Sequence, residues 1–393
     1  MASCSGFSHE NEEEKAMKKK VIAAGHICLD ITPVFPGNKV SALAEILTPG
    51  KLINVGSADV HTGGSVANTG LAMKLLGADV SLMGKIGNDV FGDMIRGVLK
   101  NYGAESGMLI SGQESTSYSV VIAVPGIDRV FLHNPGANDS FCAEDIPQNI
   151  MKETALFHFG YPPLMKSMFK NDGAELVKIM KRAKSCGAAT SLDFASIDPD
   201  AESGKADWES ILKSVIPYVD FLVPSVEELC YMLDKERFFN WQSRALGSDI
   251  TQTLDIEKDI EPLAEKCMGL GAKVLLIKCG AKGMYYRTAS KRVLMEISDR
   301  IELDVNSWAD KEGFEISFVP DRILSGTGAG DTSIAAFLVA ALEGYSMEDA
   351  VHLAAAEGAC CVAAYDALSG LRPLNELKQR IDTGWEKTVR QEE

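Results

Sequence analysis

The stretch SGTGAGD at 325–331, continued by TSIAAFLVAALEGY at 332–345, is the strongest local pattern in the chain. Apolar residues after Asp331 recur at helical spacing, so the glycines lie immediately before the start of a predicted helix. Small residues let a ligand approach the backbone closely, and the free N–H groups there point outward with the positive end of the helix dipole. The stretch therefore predicts an anion-binding site.

Asp331 adds an acidic group at the mouth of this predicted site. A carboxylate would repel a bound phosphate unless it acts on the second reactant. Beside a phosphoryl group, the useful action is to accept the proton of an attacking hydroxyl. The structural alternative is that the small residues serve helix packing and that Asp331 only caps the helix. For this motif alone the structural alternative is favoured, because short glycine motifs recur by chance.

A second glycine pair, Gly63 and Gly64, lies far upstream at the head of another predicted helix. Two glycines allow close approach of a ligand to the backbone. Asn68, one turn into the helix, offers both a donor and an acceptor to a polyol. The pattern indicates a site for a hydroxyl-rich ligand, although a tight turn alone would explain it equally well.

Two further candidates lie at predicted strand ends. Asp30 ends an apolar strand at 21–30, and Lys85 follows a strand at 80–84. The carboxyl ends of strands are where α/β sheets usually present ligand-facing residues. Both are therefore candidate substrate contacts, with a purely structural role as the alternative for each.

The fold is predicted from the alternation of elements along the chain. Short apolar strands at 155–159, 189–194, 218–224 and 273–280 are separated by helical stretches, and another helix is predicted at 88–103. Strands that alternate with helices are typical of a parallel α/β sheet with right-handed crossovers.

Two β-rich stretches, 31–60 and 115–133, do not follow this alternation. Within the second, Pro125-Gly126 separates two apolar runs, which is typical of a hairpin. We expect these stretches to form a small sheet that projects from the main domain.

The remaining segments are predicted to lie outside the core. Residues 1–19 form a disordered polar tail, and 383–393 a frayed charged tail, on either side of a single domain at 20–382. The polar segments 235–257 and 288–314 are longer than typical connections and are interpreted as surface insertions.

Composition excludes several classes of protein. With 39 Lys+Arg and 55 Asp+Glu, the formal net charge is −16, which excludes a general nucleic-acid binder. The 9 cysteines form no CxxC and no Cys/His cluster at zinc spacing, and no signal peptide precedes them. No apolar run reaches the roughly 20 residues of a membrane helix. We therefore expect a soluble, reduced, cytoplasmic protein without a nucleic-acid or membrane partner.

Four motifs occur in a characteristic order: Gly63-Gly64 with Asn68, GKIGNDVFG at 84–92, HNPGAN at 133–138 and GTGAGD at 326–331. In this order they resemble the ribokinase-like (PfkB-type) carbohydrate kinases, over about residues 20–382. The resemblance implies a three-layer α/β sandwich with a central, mainly parallel sheet and a small β lid. It also implies an enzyme that uses ATP and Mg²⁺.

The resemblance further implies roles for single residues, with Asp331 as the general base. Those that would hold the phosphoryl group are Gly328, Ala329 and Gly330, and those that would contact sugar hydroxyls are Asp30, Gly63, Gly64 and Asn68. Those that would border the nucleotide are Lys278, Gly280, Ser225 and Thr327, while Glu228 would act on Mg²⁺ through water. Ser325 stands where many members carry a carboxylate that helps hold a monovalent cation, so K⁺ activation is left open.

The predicted function is ATP-dependent phosphorylation of a small neutral sugar of the ribose or fructose type. A neutral sugar is favoured because Arg/Lys clamps for a sugar acid or a phosphate are not evident in the sequence. The alternatives are a nucleoside kinase, a 2-keto-3-deoxy sugar acid kinase, and a catalytically silent sensor or scaffold with the same fold.

The predicted lid would close over the sugar, because a phosphoryl-transfer site must exclude water. Its apolar face would include Val120, Ile122, Val124, Val130, Phe131 and Leu132. An uncovered sheet face of this kind favours association, and a second copy is the economical cover. We therefore expect a homodimer through the lid, with a monomer whose 31–60 segment covers the sheet as the alternative.

Overall fold

The computed structural model describes residues 18–35, 37, 39–40, 42–127 and 129–388. The predicted N-terminal tail lies outside these residues except for Lys18 and Lys19. The Lys19 ammonium donates to the carbonyl oxygens of Ile301 and Leu342, both at 2.8 Å, and so joins the first described residues to the domain.

Thirteen strands are present among the described residues. They are β1 (Lys20–Gly25), β2 (Cys28–Pro33), β3 (Ala58–Gly63), β4 (Asp79–Gly87), β5 (Met108–Ser111), β6 (Tyr118–Ile122), β7 (Val130–Asn134), β8 (Leu156–Gly160), β9 (Ala189–Asp193), β10 (Phe221–Leu222), β11 (Val274–Lys278), β12 (Gly283–Thr288) and β13 (Glu312–Ile316).

Fourteen α-helices accompany them in the same part of the chain. They are α1 (Ser65–Leu75), α2 (Val90–Asn101), α3 (Gln148–Glu153), α4 (Lys166–Phe169), α5 (Ala174–Ser185), α6 (Trp208–Val215), α7 (Val226–Leu233), α8 (Lys235–Ala245), α9 (Glu261–Gly269), α10 (Lys291–Leu294), α11 (Val305–Trp308), α12 (Ala329–Leu342), α13 (Met347–Cys361) and α14 (Leu374–Asp382).

Nine strands form the main sheet, in the order β13-β12-β11-β10-β9-β8-β1-β4-β5. The seven strands from β11 to β5 are parallel, and β12 and β13 continue the sheet antiparallel at one edge. The carboxyl ends of the seven parallel strands therefore meet at one edge of the sheet, as the predicted α/β fold requires.

The sheet separates two apolar layers. Along β1, Val21 and Ala23 pack into one core, and Ile22 and Ala24 pack into the other, because successive strand residues point to opposite faces. Helices α1, α12 and α13 cover the first face, and α5, α6 and α9 cover the second. This is the three-layer sandwich predicted from the sequence.

The predicted strand at 21–30 is two strands rather than one. It breaks at Gly25, whose φ of 127° turns the chain out of the main sheet. The second half, β2, pairs antiparallel with β3 and parallel with β6 in a separate sheet. Asp30 consequently lies in this smaller sheet, opposite His61, and not at the end of the first strand.

The smaller sheet has four strands in the order β3-β2-β6-β7. Its β6–β7 pair is antiparallel and encloses the Pro125-Gly126 turn, which confirms the predicted hairpin. Val121 and Val124 are buried, whereas Phe131 and Leu132 on β7 are more than half exposed, at 54% and 55%.

The segment predicted as a surface insertion at 288–314 contributes to the core. Leu294, Ile301 and Trp308 in this segment are buried. The Trp308 ring packs edge-on against Phe221, with 6.1 Å between centroids, and its indole N–H donates to Tyr345 O at 2.9 Å. The buried apolar residues are too widely spaced in this polar segment to form a recognisable sequence pattern.

The other predicted insertion, at 235–257, also carries a buried anchor. Helix α8 buries Trp241, whose indole N–H donates to the carboxylate of Asp259 at 2.9 Å. Most of its neighbours in the helix are exposed or half-exposed. This segment is therefore a surface helix fixed by one aromatic side chain.

The segment predicted as a frayed tail, 383–393, is described as far as Thr388. That part is held in place, because Trp385 stacks on Phe318 with 4.9 Å between ring centroids, and the Arg380 guanidinium lies 3.6 Å from the Trp385 centroid. The Thr388 amide also donates to Ser317 O at 2.8 Å. Among the described residues, helices long and apolar enough to cross a bilayer are absent.

Candidate active site

The start of α12 forms the predicted anion-binding turn. Gly328 is its N-cap with φ 79°, and a methyl group there would overlap Ala367, so a larger residue is excluded both by conformation and by space. The N–H groups of the first helical turn have no acceptor within the helix. The Ala329 N–H donates to Gly326 O at 3.4 Å, and the N–H groups of Ala329 and Gly330 lie beside Asp331, which is 5% exposed.

Asp331 is held by donors from two other elements. The Asn68 amide donates to Oδ2 at 3.1 Å, and the Thr69 hydroxyl donates to Oδ1 at 3.0 Å, both from α1. The Tyr161 hydroxyl, after β8, lies 2.8 Å from Oδ1 and 2.9 Å from Oδ2. The structure therefore brings together the two glycine motifs that the sequence separates by more than 250 residues.

Lys278 lies next to the anion-binding turn. Its side chain ends about 3.9 Å from where a Cβ atom on Gly330 would be, and its ammonium pairs with Asp193 at 2.6 Å. Burial opposes the charge of this ammonium, but the carboxylates of Asp193 and Glu228 outweigh it and hold the pKa of Lys278 above its ordinary value. The turn is thus reinforced by a permanent positive charge.

Asp193 is the buried partner of that charge. Burial raises the pKa of its carboxyl, Lys278 opposes this, and the nearby charges of Glu228 and Asp331 raise it further. Its Oδ2 atom is buried and has no hydrogen-bond partner among the described residues. An unsatisfied carboxylate oxygen at this position fits a cation brought by a ligand.

Ser225 and Glu228 form the start of α7. The Ser225 hydroxyl accepts from the Glu228 amide at 3.3 Å, and the Glu228 carboxylate accepts from the Ser225 amide at 2.8 Å, a capping box. Ser225 also bridges to Lys278 beside the sheet. The predicted nucleotide and metal residues are therefore neighbours of Lys278.

The remaining predicted nucleotide residues lie in two turns. Gly280 follows β11 with φ 57°, and a Cβ atom there would lie 2.7 Å from the Thr251 hydroxyl. Thr327 precedes the N-cap of α12, and its hydroxyl accepts from the guanidinium of Arg129, in the β6–β7 hairpin of the smaller sheet. The smaller sheet thus contacts the anion-binding turn directly.

The glycine pair brings α1 close to two polar side chains. A methyl group on Gly63 would overlap the carboxylate of Asp30. At Gly64, φ is 84° and a Cβ atom would lie 2.7 Å from the His26 ring. Both glycines are therefore required by close approach, and Asp30 lies next to the start of the helix that carries Asn68.

Lys85 has its own partners. Its ammonium lies 3.2 Å from Ser140 O and 3.4 Å from the carboxylate of Asp145. These partners explain the position of the Lys85 ammonium without a bound ligand. The substrate role suggested by the sequence stays a prediction.

Residues that the sequence did not single out complete the site: Thr69, His26, Tyr161 and Asp193. Tyr161 and Asp193 lie at the carboxyl ends of β8 and β9, and the general rule for strand ends could have found them. Thr69 follows Asn68 within α1, and its local sequence has no feature that distinguishes it from other helical residues. His26 is 1% exposed, and neither ring nitrogen has a partner among the described residues.

A family model described as "pfkB family carbohydrate kinase" matches residues 19–372. A Clostridium beijerinckii protein named 5-dehydro-2-deoxygluconokinase is 21% identical over 378 residues, which cover 94% of each chain. An Arabidopsis thaliana protein named probable fructokinase-4 is 26% identical over 278 residues, 70% of this chain and 74% of that one.

Solved structures show the same fold. An Arabidopsis thaliana ribokinase complexed with ribose and ATP aligns with a TM-score of 0.66 at 19% identity, covering 92% of this chain and 98% of that one. A Xylella fastidiosa fructokinase with bound ATP also aligns with a TM-score of 0.66 at 19% identity, covering 93% and 99%. Because the family model spans most of the sequence, the chain belongs to the pfkB family of carbohydrate kinases, as its motifs predict.

Proposed function

We propose that the protein transfers the γ-phosphoryl group of ATP to a hydroxyl of a small neutral sugar of the ribose or fructose type. The observation that carries this proposal is the contact between Asn68 and Asp331. This contact places α1, which is suited to binding hydroxyl groups, beside a carboxylate at an anion-binding turn. The Asp331 carboxylate can then lie next to both the sugar hydroxyl and the phosphoryl group.

In this mechanism the sugar hydroxyl attacks the γ-phosphorus while its proton passes to Asp331. The bond from the γ-phosphorus to the bridging oxygen breaks, and ADP leaves. The backbone N–H groups of Gly328, Ala329 and Gly330, with the ammonium of Lys278, stabilise the charge on the phosphoryl oxygens.

The residues around Lys278 also fit Mg²⁺ carried with ATP. The unpartnered Oδ2 of Asp193 and the carboxylate of Glu228 are oxygen groups of the kind Mg²⁺ prefers. We propose that Glu228 acts through water, with Asp193 nearby. When bound, the ion neutralises negative charge on the phosphates.

A neutral sugar is favoured by the side chains near Asn68. The side chain of Asp30 is acidic. The nearby His133 has its Nδ1 atom 3.0 Å from the hydroxyl of Ser119, a contact that a neutral imidazole can make. An acidic substrate would meet the carboxylate of Asp30, and the ammonium of Lys85 is already paired with Asp145. The relative named 5-dehydro-2-deoxygluconokinase makes a sugar acid the second candidate.

We also propose that the smaller sheet is a lid that closes over the sugar and pairs two subunits. The contact of Arg129 with Thr327 supports closure, because it joins the hairpin to the phosphoryl site. The exposed side chains of Phe131 and Leu132 support pairing with a second copy of the same sheet.

A substrate panel tests the proposed function. ATP consumption is measured with ribose, fructose, 2-keto-3-deoxygluconate and adenosine, each against a reaction without acceptor. The proposal predicts the fastest turnover with ribose or fructose. If the acid or the nucleoside is turned over fastest, it replaces the neutral sugar as the proposed substrate. The absence of acceptor-dependent ADP formation would favour the silent sensor or scaffold.

A further inference from the structure

Tyr161 has the closest contact with the proposed general base. Its hydroxyl lies within 2.9 Å of both carboxylate oxygens of Asp331. Burial and the charge of Asp331 hold the pKa of Tyr161 well above its ordinary value, so the hydroxyl keeps its proton. A single O–H group outside α1 therefore donates to the carboxylate.

The backbone at Tyr161 adopts an unusual conformation to achieve this contact. Its φ of 66° and ψ of 42° lie in the left-handed region, which few residues other than glycine adopt. Pro162 follows it, and a residue before proline ordinarily prefers extended backbone. The local sequence therefore disfavours the conformation that the structure imposes.

Backbone hydrogen bonds hold Tyr161 in this conformation. Its amide donates to Asp193 O at 3.3 Å, and its carbonyl accepts from the Leu164 amide at 3.1 Å. The preceding residue, Gly160, is fixed as well, since its carbonyl accepts from the His26 amide at 3.2 Å. Unusual backbone conformations that persist in this way cluster at functional sites.

Three donors together define the orientation of the Asp331 carboxylate. Asn68 and Thr69 hold one oxygen each, but both come from consecutive positions on one helix. Without a third donor the carboxylate could rotate about its last bond while keeping one of these contacts. Tyr161, from the end of β8, opposes that rotation, because turning the carboxylate plane would move at least one oxygen away from its hydroxyl.

We infer that Tyr161 is a positioning residue, which keeps the carboxylate of Asp331 in the orientation that accepts the proton of the sugar hydroxyl. This inference rests on the proposed function. A misplaced catalytic group can cost on the order of 100-fold in rate, whereas ground-state binding of the substrates does not depend on the orientation of the base.

The test is Tyr161→Phe, which keeps the ring and removes only the hydroxyl. The matched control is Tyr345→Phe, at the opposite end of α12, and Asp331→Asn is assayed in parallel. Rates are measured with ATP and with whichever of ribose and fructose the wild type phosphorylates faster, and thermal unfolding midpoints are recorded for all variants. We expect Tyr161→Phe to lower kcat about 10- to 100-fold. Its KM values for sugar and ATP should stay within about threefold of the wild type.

Three results would overturn the inference. The first is an unchanged kcat. The second is a raised KM for the sugar with kcat retained, which would make Tyr161 a sugar contact. The third is a fall in kcat that only follows a lowered unfolding midpoint, which would make its role structural. If the wild type phosphorylates neither sugar, the proposed function fails first and the inference fails with it, whereas an active wild type with an unaffected Tyr161→Phe overturns the inference alone.

Discussion

Among single residues, His158 shows how a polar group is accommodated beneath the site. It is buried between the hydroxyls of Ser65 and Ser191, which lie 3.2 and 3.0 Å from its two ring nitrogens. Burial, assisted by the charge of Lys278, lowers its pKa to about 3. The imidazole is therefore neutral in the folded protein, and its contacts give it a structural role.

The lowered pKa of His158 predicts a pH dependence of stability. As the pH falls below 6.5, the ordinary value, the unfolded chain takes up a proton that the folded protein does not. The free energy of unfolding then decreases by up to about 1.4 kcal/mol per pH unit for this group. His158→Gln should show a shallower decrease between pH 6.5 and 4, measured by urea denaturation. Equal slopes for variant and wild type would contradict the assignment.

The sequence predicts some of the residues at the site better than others. Asp331 and Asn68 lie in glycine motifs whose physical role can be recognised locally. Tyr161 follows a strand end, which marks it at most as a ligand-facing residue, and its contact with Asp331 depends on β8 meeting α12 in three dimensions. The pairing of Asp193 with Lys278 is equally non-local, because 85 residues separate them.

Among the helices, α12 determines the geometry of the proposed phosphoryl site through its first turn. Gly328 has a positive φ and lies against Ala367, whereas Gly326, two residues earlier, has open space around its Cα. The two glycines therefore provide a matched pair of substitutions within one turn.

Gly328→Ala should displace the start of α12, because the added methyl group needs both a disfavoured conformation and the space of Ala367. We expect a loss of about 1–3 kcal/mol in unfolding free energy and a raised KM for ATP. Gly326→Ala should change stability by less than about 0.5 kcal/mol. Chemical denaturation and ATP titrations provide the measurements, and equal effects of the two substitutions would show that the turn does not depend on Gly328.

At the level of elements, alternation of strands and helices was sufficient to predict the parallel part of the sheet. The break between β1 and β2 was not predicted, because the apolar run continues through Gly25 and only its positive φ ends the strand. Strands β12 and β13 were also missed. They lie on either side of a polar stretch whose buried anchors, such as Trp308, are too far apart to form a pattern.

For the whole molecule, the exposed face of the smaller sheet predicts self-association. Leu132→Asp places a charge on the exposed edge strand β7 of that sheet and should convert a dimer into a monomer. The control is Leu246→Asp, since Leu246 is 91% exposed at the end of α8. Sedimentation at micromolar concentration measures the mass of each protein. A monomeric wild type, or a dimer that survives Leu132→Asp, would contradict pairing through this face.

Asp331→Asn removes the carboxylate that we propose as the base of an ATP-dependent sugar kinase. Formation of ADP and sugar phosphate is measured with ribose and fructose, with the exposed Asp321→Asn as the control and unfolding midpoints recorded for both. Asp331→Asn should lower turnover about 10²- to 10⁴-fold, with the fold and ATP binding retained. Turnover of Asp331→Asn at the wild-type rate would contradict this role of Asp331.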